Sequence, residues 1–458
     1  MTETNGESRL ATVQLLLPDL REALAADPAS AAGLFEELHP ADGVDLISAL
    51  EDEEILTLFA NIPPADTAML TAFMEASTAY ELLRQLPSEL VADILEQMDP
   101  DDGAELLAEF EDEEQAQVLS QMEQEDREEA AALLAHEEET AGRLMTPQFV
   151  TVPIEGTAAT AIERARAGAR EEWSMHSLYV VDENQILRGR ITLMEALAAE
   201  PNEKIVDLMD TDPPKVYVDT DQEEVARVVS KYDLIAVPVL EHSGAMAGII
   251  TVDDMVDILI EEGTEDAHRL GAVEPLDNPY FATGFWEMAW KRGMWLCLLF
   301  FVTMFTGTVL QHSSDMLTHT LNLILFVPLV IASGGNSGAQ SATLVTRALA
   351  TGEVKVRDAV RVAGREIGMG LSLGFVLATL GFARAILWDT GHLVAWIVAI
   401  TLICVCTWGA LLGSMLPLLL KKVGIDPAIA SSPFVASMVD VSGILLYMAV
   451  AHAILHVP

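Results

Sequence analysis

One carboxylate, Asp440, stands inside an otherwise apolar stretch near the C-terminus, 13 residues beyond Pro427. At helical rise that is roughly 20 Å. A carboxylate at such depth in a bilayer is costly, and by default it marks an ion site or a pathway. The bland alternative is a structural pairing with Arg384 or with nearby hydroxyls, but Arg384 belongs to a different apolar stretch and lies toward its other end. A second feature is Pro328 followed by Gly334-Gly335-Asn336-Ser337-Gly338-Ala339-Gln340. Glycine lets backbones approach and exposes carbonyl oxygens, while Asn336 and Gln340 add neutral oxygen ligands. The run predicts a helix break, tolerated at membrane depth only where it lines a cavity or is buried in protein. A small-residue packing seam is the competing reading. One carboxylate with amide and backbone oxygens suits a hard cation such as Mg²⁺, which keeps several waters. No cluster of Cys or His suits a softer metal. Cys404 and Cys406 alternate within an apolar helix and read as packing. His312, His319 and His392 gather on the outer side and read as solvated loop residues rather than ion contacts.

A third feature is acidic: Asp253, Asp254, Asp257, Glu261, Glu262, Glu265 and Asp266 precede the first apolar stretch. Spacings of three and four place Asp254, Asp257, Glu261 and Glu265 along one helical face, where like charges repel and a cation is wanted. A solvated acidic face, or adaptation to a salt-rich cytoplasm, explains the same run. There is no G-x-x-x-x-G-K-[ST] loop and no D-K-T-G segment, so neither an ATP-driven pump nor any enzyme is expected.

These groups must be positioned by very different elements. Residues 280–458 hold 8 acidic and 10 basic residues; the remaining 63 acidic and 15 basic residues leave 1–279 with a net charge of −48. The first part reads as soluble and the second as membrane-embedded. No basic footprint exists for nucleic acid, and three cysteines in apolar runs exclude a disulfide scaffold. The opening MTETNGESR has neither a basic n-region nor an apolar h-region, so no cleavable signal is expected. Apolar stretches near 286–310, 320–349, 364–388, 392–420 and 428–456 are each long enough to span a bilayer. Lys291, Arg292, Arg347, Lys355, Arg357, Arg361, Arg365, Lys421 and Lys422 fall on one side of them, which places the N-terminus inside and the C-terminus outside.

Upstream, residues 10–137 read as all-helical. His39-Pro40-Ala41-Asp42-Gly43 recurs sixty residues later as Asp99-Pro100-Asp101-Asp102-Gly103, with further restarts at Pro63-Pro64 and Pro87. Proline suits a first helical position, and short restarting helices predict a superhelix. From Met145 the texture becomes β-α-β-β-α, twice. The order, with the turns Gly189-Arg190-Ile191-Thr192 and Gly248-Ile249-Ile250-Thr251, resembles paired CBS domains over residues 144–260. Thr251 and Asp254 match the CBS positions that hold a nucleotide ribose, while the first module carries Glu195 in the place of that aspartate.

The order of parts resembles the MgtE family of magnesium channels. The match is carried by Thr264-Glu265-Asp266-Ala267-His268-Arg269-Leu270-Gly271-Ala272, by Gly334-Gly335-Asn336 through Gln340-Ser341-Ala342-Thr343-Leu344, and by Asp426-Pro427-Ala428 through Pro433 to Asp440. The implied architecture is a multidomain membrane protein. An all-α superhelical N-domain (1–140) precedes an α+β tandem CBS pair (141–203 and 204–260). An acidic connecting or plug helix (253–278) and a five-helix transmembrane domain (279–458) follow. The resemblance implies a homodimer in the cytoplasmic membrane, with the pore on its two-fold axis near the second and fifth spans. Asp440, with the carbonyl of Ala436, would hold hydrated Mg²⁺, and Asn336, Gln340 and Thr343 would line the path. Regulatory Mg²⁺ would bind Asp101, Asp221, Glu223, Asp233, Asp254, Asp257, Glu262, Glu265 and Asp266 and close the channel. ATP or another adenine nucleotide would sit at the CBS pair. Ala339 and Ser432 replace amide residues that some members carry. The expected function is a Mg²⁺-selective importer of channel type. A secondary divalent-cation transporter coupled to Na⁺ or H⁺ is the runner-up, and a membrane-tethered nucleotide sensor is a third reading.

Overall fold

The computed structural model describes residues 2–35, 38–170, 176–276, 280–281, 283–314, 317 and 320–455. It divides into two compact units, Met1–Ile260 and Glu261–Pro458.

The first unit begins with helices α1 (Thr2–Ala26), α2 (Pro40–Ile47), α3 (Asp52–Phe59), α4 (Pro64–Thr71) and α5 (Ala76–Leu83). They continue as α6 (Ser88–Leu95), α7 (Pro100–Ala108), α8 (Asp112–Gln121) and α9 (Gln124–Leu134). Proline opens α2, α4 and α7, where its missing N–H costs nothing. Helices two apart in sequence pack on each other, so α2, α4, α6 and α8 form one row and α3, α5, α7 and α9 the other. The short helices send apolar side chains, such as Leu58 and Phe59 or Ile94 and Leu95, into one continuous core. That is the expected superhelix, in which each repeat is stabilised by its neighbours.

After α10 (Ala141–Leu144) the two modules follow. The first runs β1 (Thr151–Pro153), α11 (Ala158–Gly168), β2 (Ser177–Val181), β3 (Leu187–Thr192) and α12 (Leu193–Ala198). A short helix, α13 (Ile205–Leu208), leads to the second: β4 (Val216–Tyr217), α14 (Gln222–Tyr232), β5 (Ala236–Leu240), β6 (Met246–Thr251) and α15 (Val252–Leu270). In both sheets the middle strand pairs parallel with the first and antiparallel with the third. Tyr179 of one module and Ala236 and Ile249 of the other share a small core between the sheets. The expected tandem order is thus present, with α13 added.

In the second unit five helices are long and apolar enough to cross a membrane: Phe285–His312, Leu321–Ala350, Val356–Leu387, His392–Lys422 and Ser432–Leu455. The fourth is the most enclosed; the first is almost wholly exposed, with Trp286, Trp290, Phe300 and Phe305 on its surface. Two expectations change here. The second span is an unbroken helix from Val327 to Ala350, so its glycines do not break it. They form a packing seam instead. A Cβ on Gly409 would stand 2.5 Å from the Gly334 carbonyl oxygen, and one on Gly413 only 2.1 Å from that of Gly338. Glycine costs about 1 kcal/mol in a helix, and backbone-to-backbone contact offsets it. Gly413→Ala is therefore expected to force the second and fourth spans apart and to lower the thermal midpoint of the purified protein by many degrees. Gly364→Ala, where a Cβ meets nothing within 4 Å, should leave that midpoint unchanged or slightly raised.

Candidate ion path and acidic regulatory residues

The second change concerns depth. The fifth helix starts at Ser432, after a 3₁₀ turn at Pro427–Ile429, so Asp440 lies eight residues into it, about 12 Å at helical rise. The second and fifth spans adjoin along this length. A Cβ on Gly335 would be 3.1 Å from Asp440 Oδ1 and 3.4 Å from Ala436 Cβ, so the glycine leaves the space in which the carboxylate lies. One end of the same contact is tied by Thr343 Oγ1 and Ser432 Oγ, 2.9 Å apart. Asn336, Gln340 and Thr343 are exposed and spaced four and three residues apart, so they form one stripe of the second span. Among the described residues, neither amide side chain has a hydrogen bond and Asp440 has no ion-pair or hydrogen-bond partner. The Ala436 carbonyl lies inside a regular helix, where the amide of residue 440 engages one lone pair and one remains.

Pairing of Asp440 with Arg384 is excluded, because that guanidinium stacks on Trp388, 3.9 Å from the ring centroid. Cys406 is buried and its thiol contacts the Ser333 carbonyl at 3.9 Å, as packing residues do. His312 and His392 are exposed at span ends, and His319 lies outside the described residues.

Of the carboxylates expected to bind regulatory Mg²⁺, several serve the fold. Asp221 caps α14, accepting from the Glu223 amide at 3.0 Å. Glu223 pairs with Arg227 at 3.2 Å on the surface, a contact worth little. Asp233 ends α14 in the left-handed region at φ 50°, a conformation that Asp tolerates. Asp254 Oδ2 accepts from the Thr251 hydroxyl at 2.6 Å and its amide at 3.2 Å, capping α15. The two residues proposed for ribose binding thus face each other. Asp257 is exposed on the same helix, and Glu262, Glu265 and Asp266 lie further along it. Among the described residues no three His, Cys, Asp or Glu side chains converge closely enough to hold a metal ion.

Asp101 is the exception to this dispersal. Its Oδ1 is buried without a hydrogen-bond partner among the described residues, and burial, then Asp254, then Asp102 push its carboxyl well above the usual range. Its neighbour Asp102, absent from the expected ligands, is pushed up to about 7 by burial first and then by Asp99 and Asp254. Burial also raises Asp254 against the opposing pull of its Thr251 bond. These carboxylates are desolvated and repel one another, though among the described residues they do not converge as a metal site. Folded Asp102 holds its proton more tightly than the unfolded chain does. Its stabilising contribution is therefore complete only below about pH 4 and is lost as pH rises to 7. A rise from 3.8 to about 7 corresponds to about 4 kcal/mol. Asp102→Asn is expected to raise the thermal midpoint of the chelator-treated protein by several degrees at pH 8 and by little at pH 4. Calorimetry at both pH values checks this, and equal shifts would show that the carboxylate is not the cause.

Sequence reasoning missed two further contacts. Arg269, on α15, pairs with both Glu265 and Asp426, the latter capping the turn before the fifth span. Glu366, on the third span, accepts from the Ser341 hydroxyl of the second at 2.6 Å. Glu366 falls inside the apolar stretch expected from 364, and the helix itself begins earlier, at Ala359.

The family model for divalent cation transporters named MgtE matches residues 327–450. The MgtE intracellular N domain matches 38–139, and the CBS domain matches 141–202 and 205–261. The magnesium transporter MgtE of Thermus thermophilus is 40% identical over 325 residues, covering 70% of this chain and 72% of that protein. The magnesium transporter MgtE of Bacillus subtilis is 33% identical over 324 residues, 71% of each. Two solved structures resemble the soluble part. One is the soluble part of a magnesium transporter (TM-score 0.51, 28% identity, 55% of this chain and 99% of that one). The other is the cytosolic domain of the Mg²⁺ channel MgtE in complex with ATP (TM-score 0.50, 32% identity, 53% and 100%). With its helical N domain, its paired CBS modules and its five apolar spans each in place, the chain belongs to the MgtE family of divalent cation transporters.

Proposed function

We propose that this chain imports Mg²⁺ across the cytoplasmic membrane as a channel, and that Mg²⁺ bound to its cytosolic carboxylates closes it. The observation that carries the reading is Asp440, over Gly335 and without a partner among the described residues, beside the exposed stripe of Asn336, Gln340 and Thr343. A membrane carboxylate without a protein cation is expensive unless an ion passes it. Oxygen donors on an exposed face suit Mg²⁺, which keeps several of its waters. One carboxylate and one stripe cover a single side of an ion, which favours a homodimer with the path on its axis. The Lys/Arg bias supports an inside N-terminus and an outside C-terminus, so the membrane potential drives cations inward at about 2.3 kcal/mol per charge per 100 mV. Closure would use Asp101, Asp254 and Asp257, with Asp221, Glu223, Asp233, Glu262, Glu265 and Asp266 as further contributors. The relative solved with ATP supports adenine nucleotide binding at the CBS pair near Thr251 and Asp254. A carrier coupled to Na⁺ or H⁺ gains one observation, the second intramembrane carboxylate Glu366. The deciding experiment is uptake into liposomes holding the purified protein, with a Mg²⁺ gradient alone and no Na⁺ or pH gradient. A channel gives sustained uptake; a strict exchanger gives none.

A further inference from the structure

The second span carries Gly334, Gly335 and Gly338 and lies backbone to backbone on the fourth. Such a seam brings helices close, and side-chain hydrogen bonds across it add direction to the packing. A slip of one residue turns the helix by 100° and carries Asn336, Gln340 and Thr343 off the face they share. Directional bonds help to fix the rotation. Ser337 Oγ donates to the Cys406 carbonyl of the fourth span at 2.9 Å, and Thr343 meets Ser432 of the fifth. The third tie is Ser341 Oγ donating to Glu366 Oε2 at 2.6 Å. Among the described residues it is the one side-chain hydrogen bond between the second and third spans.

Glu366 is half-buried, seven residues inside the helix that starts at Ala359, about 10 Å at helical rise. Among the described residues no cation pairs with it. Ser341 is buried and lies roughly 130° round the helix from the middle of the Asn336–Gln340–Thr343 stripe, at 100° per residue. Glu366 therefore stands behind the second span and does not reach an ion travelling along its front. Its separation from Ser341 falls in the range of a short, charge-assisted O–H···O bond. A carboxylate retained in a membrane span calls for a functional reason, and here that reason is geometric.

We propose that Glu366 is a positioning residue for permeation, which acts through Ser341 to hold the ligand stripe of the second span toward the ion. The proposal rests on the reading of the second and fifth spans as the ion path. The test is Mg²⁺ and Ca²⁺ uptake by full-length protein in liposomes, for Glu366→Ala, Ser341→Ala, their double variant and Glu366→Gln. Each alanine variant is expected to lower Mg²⁺ uptake about tenfold and the Mg²⁺-to-Ca²⁺ uptake ratio several-fold. The double variant should be no worse than the poorer single one, because both remove the same bond. Glu366→Gln, whose carboxamide oxygen still accepts from Ser341, should keep at least half of wild-type uptake and ratio. The proposal is overturned if the losses multiply in the double variant, if Gln is as poor as Ala, or if uptake falls with an unchanged ion ratio. Ser341→Ala removes one oxygen and keeps the test decisive even where Glu366→Ala does not fold; wild-type uptake by it also overturns the proposal. Asp440→Ala, run in parallel, separates the two failures. Full uptake by that variant overturns the ion path itself. A silent Asp440→Ala beside wild-type Glu366 and Ser341 variants leaves the path standing and removes only the positioning role.

Discussion

Liposomes containing Asp440→Ala are expected to take up Mg²⁺ no faster than empty liposomes, while the variant elutes and melts as the wild type does. Two unit charges 4 Å apart interact by about 4 kcal/mol at an effective dielectric of 20, and a divalent ion doubles this. If a quarter of that attraction is realised through the ion's retained water, about 2 kcal/mol, occupancy falls about thirtyfold. In a homodimer both carboxylates are lost together, and flux falls further. Asp440→Asn keeps the shape and an oxygen but not the charge, and should also lose most flux. The fold should survive, because Asp440 has no ion pair or hydrogen bond to lose among the described residues and removing an unpaired charge relieves desolvation. Wild-type uptake by a folded Asp440→Ala protein would falsify the assignment of the ion path.

The second large effect is expected in gating. Asp254 and Asp257 lie on α15 with Glu265 further along the same helix, and Asp254 is one of the charges that raise Asp101 and Asp102. Repulsion among such carboxylates is strong when they are desolvated, about 4 kcal/mol for a pair at 4 Å and an effective dielectric of 20. A divalent ion turns repulsion into attraction, and it favours closure only by as much as it binds the closed state more tightly. Neutralising Asp254, Asp257 and Glu265 together is expected to leave a channel that stays open at millimolar cytosolic Mg²⁺, where the wild type closes. Single-channel recording with Mg²⁺ varied on the cytosolic side measures this. If those charges merely solvate a surface, the Mg²⁺ dependence of opening will not move, and the gating proposal fails. Because Glu265 also pairs with Arg269, a Glu265→Gln variant alone shows how much of any change comes from that ion pair.

Much of the architecture was legible along the chain because it is written in local periodicity. The prolines opening α2, α4 and α7, the alternation of β2 and β5 with helices, and the lengths of the apolar spans depend on near neighbours only. The acidic face of α15 is of the same kind. The glycine run of the second span was legible as unusual but not as to its consequence. Break and seam make the same demand on sequence, namely small residues. Only the presence of Gly409 and Gly413 on a facing helix turned the run into an unbroken, closely packed one.

Sequence by itself therefore determined the family, the division into an acidic soluble part and a membrane part, and the place of Asp440 as the one carboxylate inside the last apolar stretch. Hydropathy, charge count and residue order are properties of the chain whether or not it folds. Tertiary structure alone decided which groups have partners. It turned Arg384 onto Trp388 and placed Asp440 over Gly335, without a partner among the described residues. It set Asp102 beside Asp101 as a desolvated carboxyl, when nothing in Asp99-Pro100-Asp101-Asp102 says which side chain is buried. It also joined Ser341 to Glu366, 25 positions apart, across two spans. Burial and pairing are set by residues remote in sequence, and a side chain's cost or use in a membrane depends on those partners rather than on its neighbours along the chain.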